Sequence, residues 1–184
     1  MDEITKRMRD HMACVYYTAS SLDGYVADED ASLDWLVSRD IDSAGPFAVE
    51  PFLETVGSLV MGADTYAWIL HNHPGKWMYT QPSWVVTHRR GIVAEGHAVQ
   101  TFDGDVADLY PSLVSAAQGR HVWVVGGGNL AAQFASAGLI DEMIVSFAPC
   151  SLGAGSRVLP IRSEWTLVES SVNRDFVCAR WRRN

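Results

Sequence analysis

The chain predicts an α/β fold in three layers, with a mostly parallel central sheet, helices on both faces and an antiparallel hairpin at the C-terminal end. Three observations predict it. Strand-like and helix-like segments alternate through about residue 140 and then give way to strands alone. The first strand-like runs, such as Ala13–Thr18 (ACVYYT), are continuously apolar rather than alternating, as buried parallel strands are. Val124–Leu130 (VVGGGNL) then carries a β-branched run into three consecutive glycines and directly into a small-residue amphipathic segment, Leu130–Ala137. A buried strand there delivers main chain without Cβ atoms to a helix N-terminus, whose free N–H groups and dipole suit a phosphate. A tight strand–helix turn with no ligand has the same local signature.

The elements follow in order. Residues 1–11 read as a frayed lead-in or a short helix, and the domain proper as 13–184. After the first strand, Ser20–Asp34 reads as a polar loop, with a turn at Asp23-Gly24 and an acidic cluster at Asp28–Asp30. Pro46–Val56 has helical spacing, since Phe47, Val49, Phe52, Leu53 and Val56 share a face. Ser58–Met61 is a second strand ending at Gly62, Asp64–Leu70 a short helix, and His71–Pro82 a turn-rich loop. Trp84–Thr87 and Ala98–Phe102 are strands. Asp105–Gln118 is a helix, with Asp105 as N-cap and Gly119 as its stop. His121–Val125 feeds the glycines, and Met143–Ala148, Thr166–Ser171 and Phe176–Trp181 are the late strands. The last two form a hairpin with Asn173 in the turn. Arg180, Arg182 and Arg183, alternating with Ala179 and Trp181, read as the solvated face of the last strand.

Composition narrows the function classes. With 184 residues, 48% hydrophobic and 20% charged, the chain is an ordinary single domain. Its net charge of −8 argues against nucleic acid as a partner. No apolar run reaches the ~20 residues that span a bilayer, and the charged N-terminus has no secretory apolar core. Cys14, Cys150 and Cys178 are an odd, widely spaced set with no metal-ligand spacing, which suits a reducing cytoplasm. His71-Asn72-His73 beside a proline reads as solvated, so no metal is expected.

Gly126-Gly127-Gly128-Asn129-Leu130-Ala131 formally satisfies G-x-G-x-x-A. The usual dinucleotide version sits on the first strand, with an acid roughly 20 positions later. Fewer than sixty residues follow Leu130, too few for the βαβ units that version needs. That reading is excluded.

Four stretches in order carry a resemblance that spans about Ala13–Trp181. They are Ala19–Ala27 (ASSLDGYVA), Val60–Tyr66 (VMGADTY), Val124–Leu130, and Leu152–Pro160 (LGAGSRVLP). Together they resemble the dihydrofolate-reductase-like superfamily, in the branch shared with the reductase domain of the bifunctional riboflavin-biosynthesis deaminase–reductase. The resemblance implies a nicotinamide coenzyme, usually NADPH, across the C-terminal edge of the sheet, and hydride transfer to a reducible heterocycle. It implies coenzyme contacts at Gly62, Thr65, Thr87, Arg89, Gly126, Gly127, Gly128, Asn129 and Leu130, and substrate contacts at Ala19, Trp35 and Tyr66. Thr65 is expected to cap its helix and offer a hydroxyl to phosphate, and Arg89 to meet the adenosine 2′-phosphate with a guanidinium fork. One departure stands out: the family often carries a basic residue after Gly62, and here Ala63 stands there, which leaves NADPH against NADH open.

Hydride transfer to an imine carbon needs its nitrogen protonated or the ring polarised by a fixed acid. In the reductases proper a buried carboxylate near the first helix does this, and Asp34 in Ser32–Leu36 is the catalytic candidate, with Trp35 walling the pocket. Asp40 is the alternative, and a capping or solvated role is open for both. No zinc deaminase signature is present. Three function classes remain: a reductase of a pterin, dihydrofolate or aminopyrimidine-like small molecule; a non-catalytic nucleotide- or flavin-binding module; and an interaction domain. The riboflavin-like branch also makes a homodimer an expectation.

Overall fold

A computed structural model describes residues 12–75 and 77–184. Its order is β1 (Cys14–Ser20), β2 (Tyr25–Ala27), α1 (Asp34–Val37), α2 (Val49–Leu53), β3 (Val56–Gly62), α3 (Ala63–Asn72), β4 (Ser83–Val86), β5 (Val99–Phe102) and α4 (Val106–Ala117). There follow β6 (His121–Gly126), α5 (Gly128–Ser136), β7 (Glu142–Phe147), β8 (Ser156–Arg157), β9 (Trp165–Asn173) and β10 (Phe176–Arg183). Eight strands form one sheet in the order β5-β4-β3-β6-β1-β7-β10-β9. Every pairing from β5 to β7 is parallel, and β10 runs antiparallel to both β7 and β9. The expected three-layer architecture with its C-terminal hairpin is what the chain adopts.

The strands β1, β3 and β6 are apolar on both sides because both sides are covered. On one face, Leu109 and Leu113 of α4 and Leu130 and Phe134 of α5 pack on Tyr16, Val60, Val122 and Val124. On the other, Phe52 of α2 and Tyr66 and Ile69 of α3 pack on Val15, Leu59, Met61 and Trp123. Each such buried side chain contributes about 1.5–3 kcal/mol relative to exposure. α4 begins as expected, with Asp105 accepting from the Ala107 N–H at 2.8 Å. Its left-handed stop starts one residue early, at Gln118 (φ +51°), and continues into Gly119.

Four expectations need correction. The helix read over Pro46–Val56 is confined to Val49–Leu53, because the Thr55 hydroxyl and N–H both donate to the Phe52 carbonyl and close it. Val56, fully buried, already belongs to β3. Ser20–Asp34 is not all loop, since Tyr25–Ala27 pairs with Ser156–Arg157 in a separate two-stranded sheet. That pairing joins segments about 130 residues apart, beyond the reach of local pattern.

The C-terminal hairpin differs most. Arg180 is not solvated: it is 8% exposed, within 3.6 Å of Glu142 and 3.4 Å of Glu169 on the flanking strands. Arg182 is exposed and pairs with Glu142. Asn173 is the last residue of β9, and the turn that follows places Arg174 at φ +48°. Its buried amide accepts from the Asp42 N–H and donates to the carbonyls of Asp42 and Pro46, so it holds the 42–46 loop instead of shaping the turn. The expectation for residues 1–11 lies outside the described residues. Arg180→Ala is expected to destabilise the protein by about 3 kcal/mol, by taking the cation from Glu169 and leaving Glu142 only the exposed Arg182. Denaturant unfolding of wild type and variant measures it, and a change within about 0.5 kcal/mol, the usual surface-substitution range, would contradict the assignment.

Candidate functional site

The site is built where β3 and β6 end side by side. They are parallel neighbours, yet the helices that follow leave on opposite faces of the sheet, α3 with Tyr66 and Ile69 on one and α5 with Leu130 and Phe134 on the other. Such a switch point opens a crevice beyond the carboxyl ends of the strands. Two N-termini flank it. The N-cap of α3 is Gly62 and that of α5 is Gly127, both extended, and neither helix has a side-chain capping bond. Their first-turn N–H groups are therefore available to an anion, with both dipoles favouring negative charge.

The glycines separate by cause. Gly126 has φ +146°, a conformation costly for any other residue. Gly128 is fixed by packing, because a Cβ there would stand 1.9 Å from the Arg157 carbonyl oxygen and 2.8 Å from that of Val158. Gly62 and Gly127 have no such internal demand: their φ values are −81° and −75°, and the nearest atoms to an added Cβ lie 3.7 Å and 3.9 Å away. Bare main chain at these two positions borders the crevice itself, as close approach of a phosphate requires. A nicotinamide dinucleotide fits this arrangement: Gly62, Gly127 and the N–H groups of α3 and α5 would hold its pyrophosphate.

The other expected coenzyme contacts take distinct positions. Thr65 does not cap α3, whose N-cap is Gly62. It stands in the first turn with its hydroxyl 3.6 Å and 3.9 Å from the Cβ positions of Gly126 and Gly127, across the crevice. Asn129 is exposed in the first turn of α5, whereas the Leu130 side chain is buried at 4% in the core. Thr87 directly follows β4, and its hydroxyl accepts from the Arg89 N–H at 3.0 Å, setting the loop. The exposed Arg89 guanidinium reaches the exposed Asp64 carboxylate of α3 at 3.3 Å.

On the other side of the crevice, Ala19 is half-buried near the end of β1, paired with Ser146. Trp35 packs with Ala148, Cys150, Phe176 and Cys178, which anchors α1 at the ends of β7 and β10. Its indole Nε1 is buried without a hydrogen-bond partner among the described residues. A buried donor left unpaired is costly, so an acceptor supplied from outside the chain would be well received there. Asp34 opens α1, exposed, with its N–H donating to Ser32 Oγ. This is not the buried carboxylate that the resemblance led us to expect. Asp40 is tied elsewhere, paired with Arg174 at 3.0 Å at the hairpin turn. Tyr66 is also redirected: 1% exposed, with its hydroxyl at 3.0 Å from His97 Nδ1 and accepting from the Ala94 N–H, it belongs to the core under α3.

Two residues inside the resembling stretches take roles that the sequence reading did not give them. Asp23, read as a turn former, accepts from the Ser21 hydroxyl at 2.6 Å and from the N–H groups of Leu152 and Gly153 at 3.0 and 2.7 Å. These bonds, the Ser21 one foremost, lower its pKa to about 2. Arg157 lies 4.5 Å over the Tyr25 ring, and its carbonyl roofs Gly128. Local pattern could not assign these roles, because the Leu152 and Gly153 N–H groups lie about 130 residues from Asp23, as the Tyr25 ring does from Arg157. Together they clamp the β2–β8 pair against the glycine turn. Among the described residues, no cluster of His, Cys, Asp or Glu is arranged to hold a metal.

Two outcomes follow. Gly62→Ala is expected to keep its thermal midpoint within about 2 °C while weakening dinucleotide binding about tenfold or more, whereas Gly128→Ala is expected to lose about 3 kcal/mol of stability through overpacking against main chain. Calorimetric unfolding and titration read both, and an equal stability loss in the two would contradict the distinction. For Asp23, the folded pKa lies below the unfolded value of 3.8, so its contribution is complete above that value and is lost as pH falls toward about 2. Denaturant midpoints at pH 5 and pH 2.5 are expected to converge for wild type and Asp23→Ala at the lower pH; a constant gap would contradict it.

Comparison with known proteins shows the family and the fold. A protein of Bacillus subtilis (strain 168), YwjB, is 30% identical, with 83% of each chain covered. The solved structure of a candidate riboflavin biosynthesis protein from Shewanella sp. PV-4 superposes with a TM-score of 0.81 at 28% identity, over 94% of this chain and 99% of that one. Enterococcus faecalis dihydrofolate reductase, solved with NADP(H), superposes with a TM-score of 0.64 at 15% identity over 94% and 96%, so the fold is that of dihydrofolate reductase. The family profile of the RibD C-terminal domain matches residues 14–172, and the chain belongs to that family.

Proposed function

We propose that the chain is an NADPH-dependent reductase of a pterin, dihydrofolate or aminopyrimidine-like heterocycle, of the dihydrofolate reductase or 5-amino-6-(5-phosphoribosylamino)uracil reductase type. The observation that carries this reading is the pair of uncapped helix N-termini meeting at Gly62 and Gly127, two glycines that neither backbone conformation nor packing demands. The family and the reductase fold of its structural neighbours support it.

The bound coenzyme would supply a hydride to an electrophilic ring carbon. The chain does the rest. Main-chain N–H groups at the starts of α3 and α5 and the Thr65 hydroxyl fix the pyrophosphate, while Thr87 and Arg89 receive the adenosine 2′-phosphate. Ala19 at the end of β1 leaves room for a flat ring between sheet edge and loop. The Trp35 indole donates to a polar atom of that ring and keeps water from one side. Asp34 is assigned to hold the ring by hydrogen bonds to its nitrogens and to favour the protonated form next to the accepting carbon. Its exposure means that closure over the substrate, with the adjoining loop, must supply the desolvation that a buried carboxylate would already have.

NADPH is expected to raise the thermal midpoint of the protein, and reduced-nicotinamide absorbance to fall on addition of dihydrofolate or an aminopyrimidine substrate. In the same assay Asp34→Asn is expected to lower kcat about 100-fold while leaving the NADPH dissociation constant within about twofold. Coenzyme binding with no turnover on any such ring would instead favour a nucleotide-binding module, and an unchanged kcat would remove Asp34 from the chemistry.

A further inference from the structure

The loop after β4 and the first turn of α3 meet through one ion pair. β3 and β4 are parallel neighbours, with Gly62 opposite Val86, so the residues just beyond them are juxtaposed by register. Arg89 Nη1 lies 3.3 Å from Asp64 Oδ1, with both side chains mostly in solvent, 66% and 88% exposed. Elsewhere in the chain, pairs of this kind brace distant segments, as Arg174 and Asp40 do across the hairpin turn. This one braces nothing that the sheet register has not already fixed. It does occupy the guanidinium assigned above to a 2′-phosphate.

We propose that Asp64 sets the coenzyme preference of this chain by holding Arg89 and placing a negative charge beside the 2′ position of the adenosine ribose. The inference rests on the coenzyme reading of the site. The two side chains have opposite tastes. A carboxylate accepts a hydrogen bond from a ribose 2′-hydroxyl, whereas a guanidinium fork takes a 2′-phosphate. With Asp64 present, NADPH must detach Arg89 from its partner and then leave the carboxylate near a dianion. NADH meets neither cost. Ala63, between Gly62 and Asp64, supplies no second cation to offset this. The chain therefore discriminates weakly between the two coenzymes and accepts NADH as a working alternative. Because the pair is solvent-exposed, the effect is modest and sensitive to salt.

The test is titration calorimetry of the full chain at low ionic strength, for wild type, Asp64→Asn, Asp64→Ser and Arg89→Gln. The titrants are NADPH, NADH and the coenzyme fragment adenosine 2′,5′-bisphosphate. Both Asp64 variants are expected to bind NADPH and the bisphosphate about fivefold more tightly and NADH no more tightly than wild type, and about 1 M salt is expected to erase the gain. Arg89→Gln is expected to weaken NADPH and the bisphosphate while sparing NADH. A ratio of NADPH to NADH affinity unchanged within twofold in both Asp64 variants would overturn the proposal, as would Arg89→Gln without effect on NADPH. Wild type binding neither coenzyme is a different result: it would overturn the reductase reading itself, and this inference with it.

Discussion

The approach of two main chains at the ends of β3 and β6 is the constraint from which the site follows. Parallel strands lie about 4.8 Å apart, and here their continuations part to opposite faces of the sheet. Main chain that parts in this way leaves a gap at its fork. Side chains at the fork would fill it, and Gly62 and Gly127 supply none. α3 and α5 then point their unpaired N–H groups toward the same gap, which makes its floor polar through main chain alone. The surrounding apolar layers, Leu130 and Phe134 above and Tyr66 and Ile69 below, fix the two helices against the sheet. Anion affinity is thus produced by topology and held by hydrophobic packing.

Charge is distributed to match. The chain is acidic overall, and several of its arginines are already committed. Arg180 is sealed between Glu142 and Glu169 inside the hairpin, Arg174 is tied to Asp40, and Arg183 donates to the Ala135 carbonyl at the end of α5. Arg89 differs in that its partner, Asp64, stands in the first turn of α3, beside the crevice. A coenzyme arriving at this edge meets main-chain dipoles first and a cation already in company second.

Much of this was legible in the sequence, for physical reasons. A continuous apolar run must be covered on both sides, so Val15–Tyr17, Leu59–Met61 and Val122–Val124 announced a parallel sheet. Asp105 and Gly119 announced the ends of α4 through capping chemistry that needs only local atoms. The glycine triplet announced an anion-friendly turn, but it could not say that its three members serve three causes: conformation at Gly126, open approach at Gly127, and packing under Arg157 at Gly128. Those causes depend on atoms far along the chain. The same holds for Arg180, whose solvent-like pattern concealed two acids on neighbouring strands, and for Tyr66, which stands in a family signature yet spends its hydroxyl on His97 and Ala94. Asp34 was legible as a candidate by position alone. Its exposure was not, because a four-residue helix with no buried side chain leaves no periodicity to read.

The packing of Gly128 beneath the carbonyls of Arg157 and Val158 also bears on biogenesis. The fork between β3 and β6 is complete in chain order once α5 has been made, but the carbonyls over Gly128 arrive some twenty residues later, with β8. The turn itself joins neighbours in sequence, whereas its packing under β8 is a contact of longer sequence separation, of the kind that forms more slowly in folding.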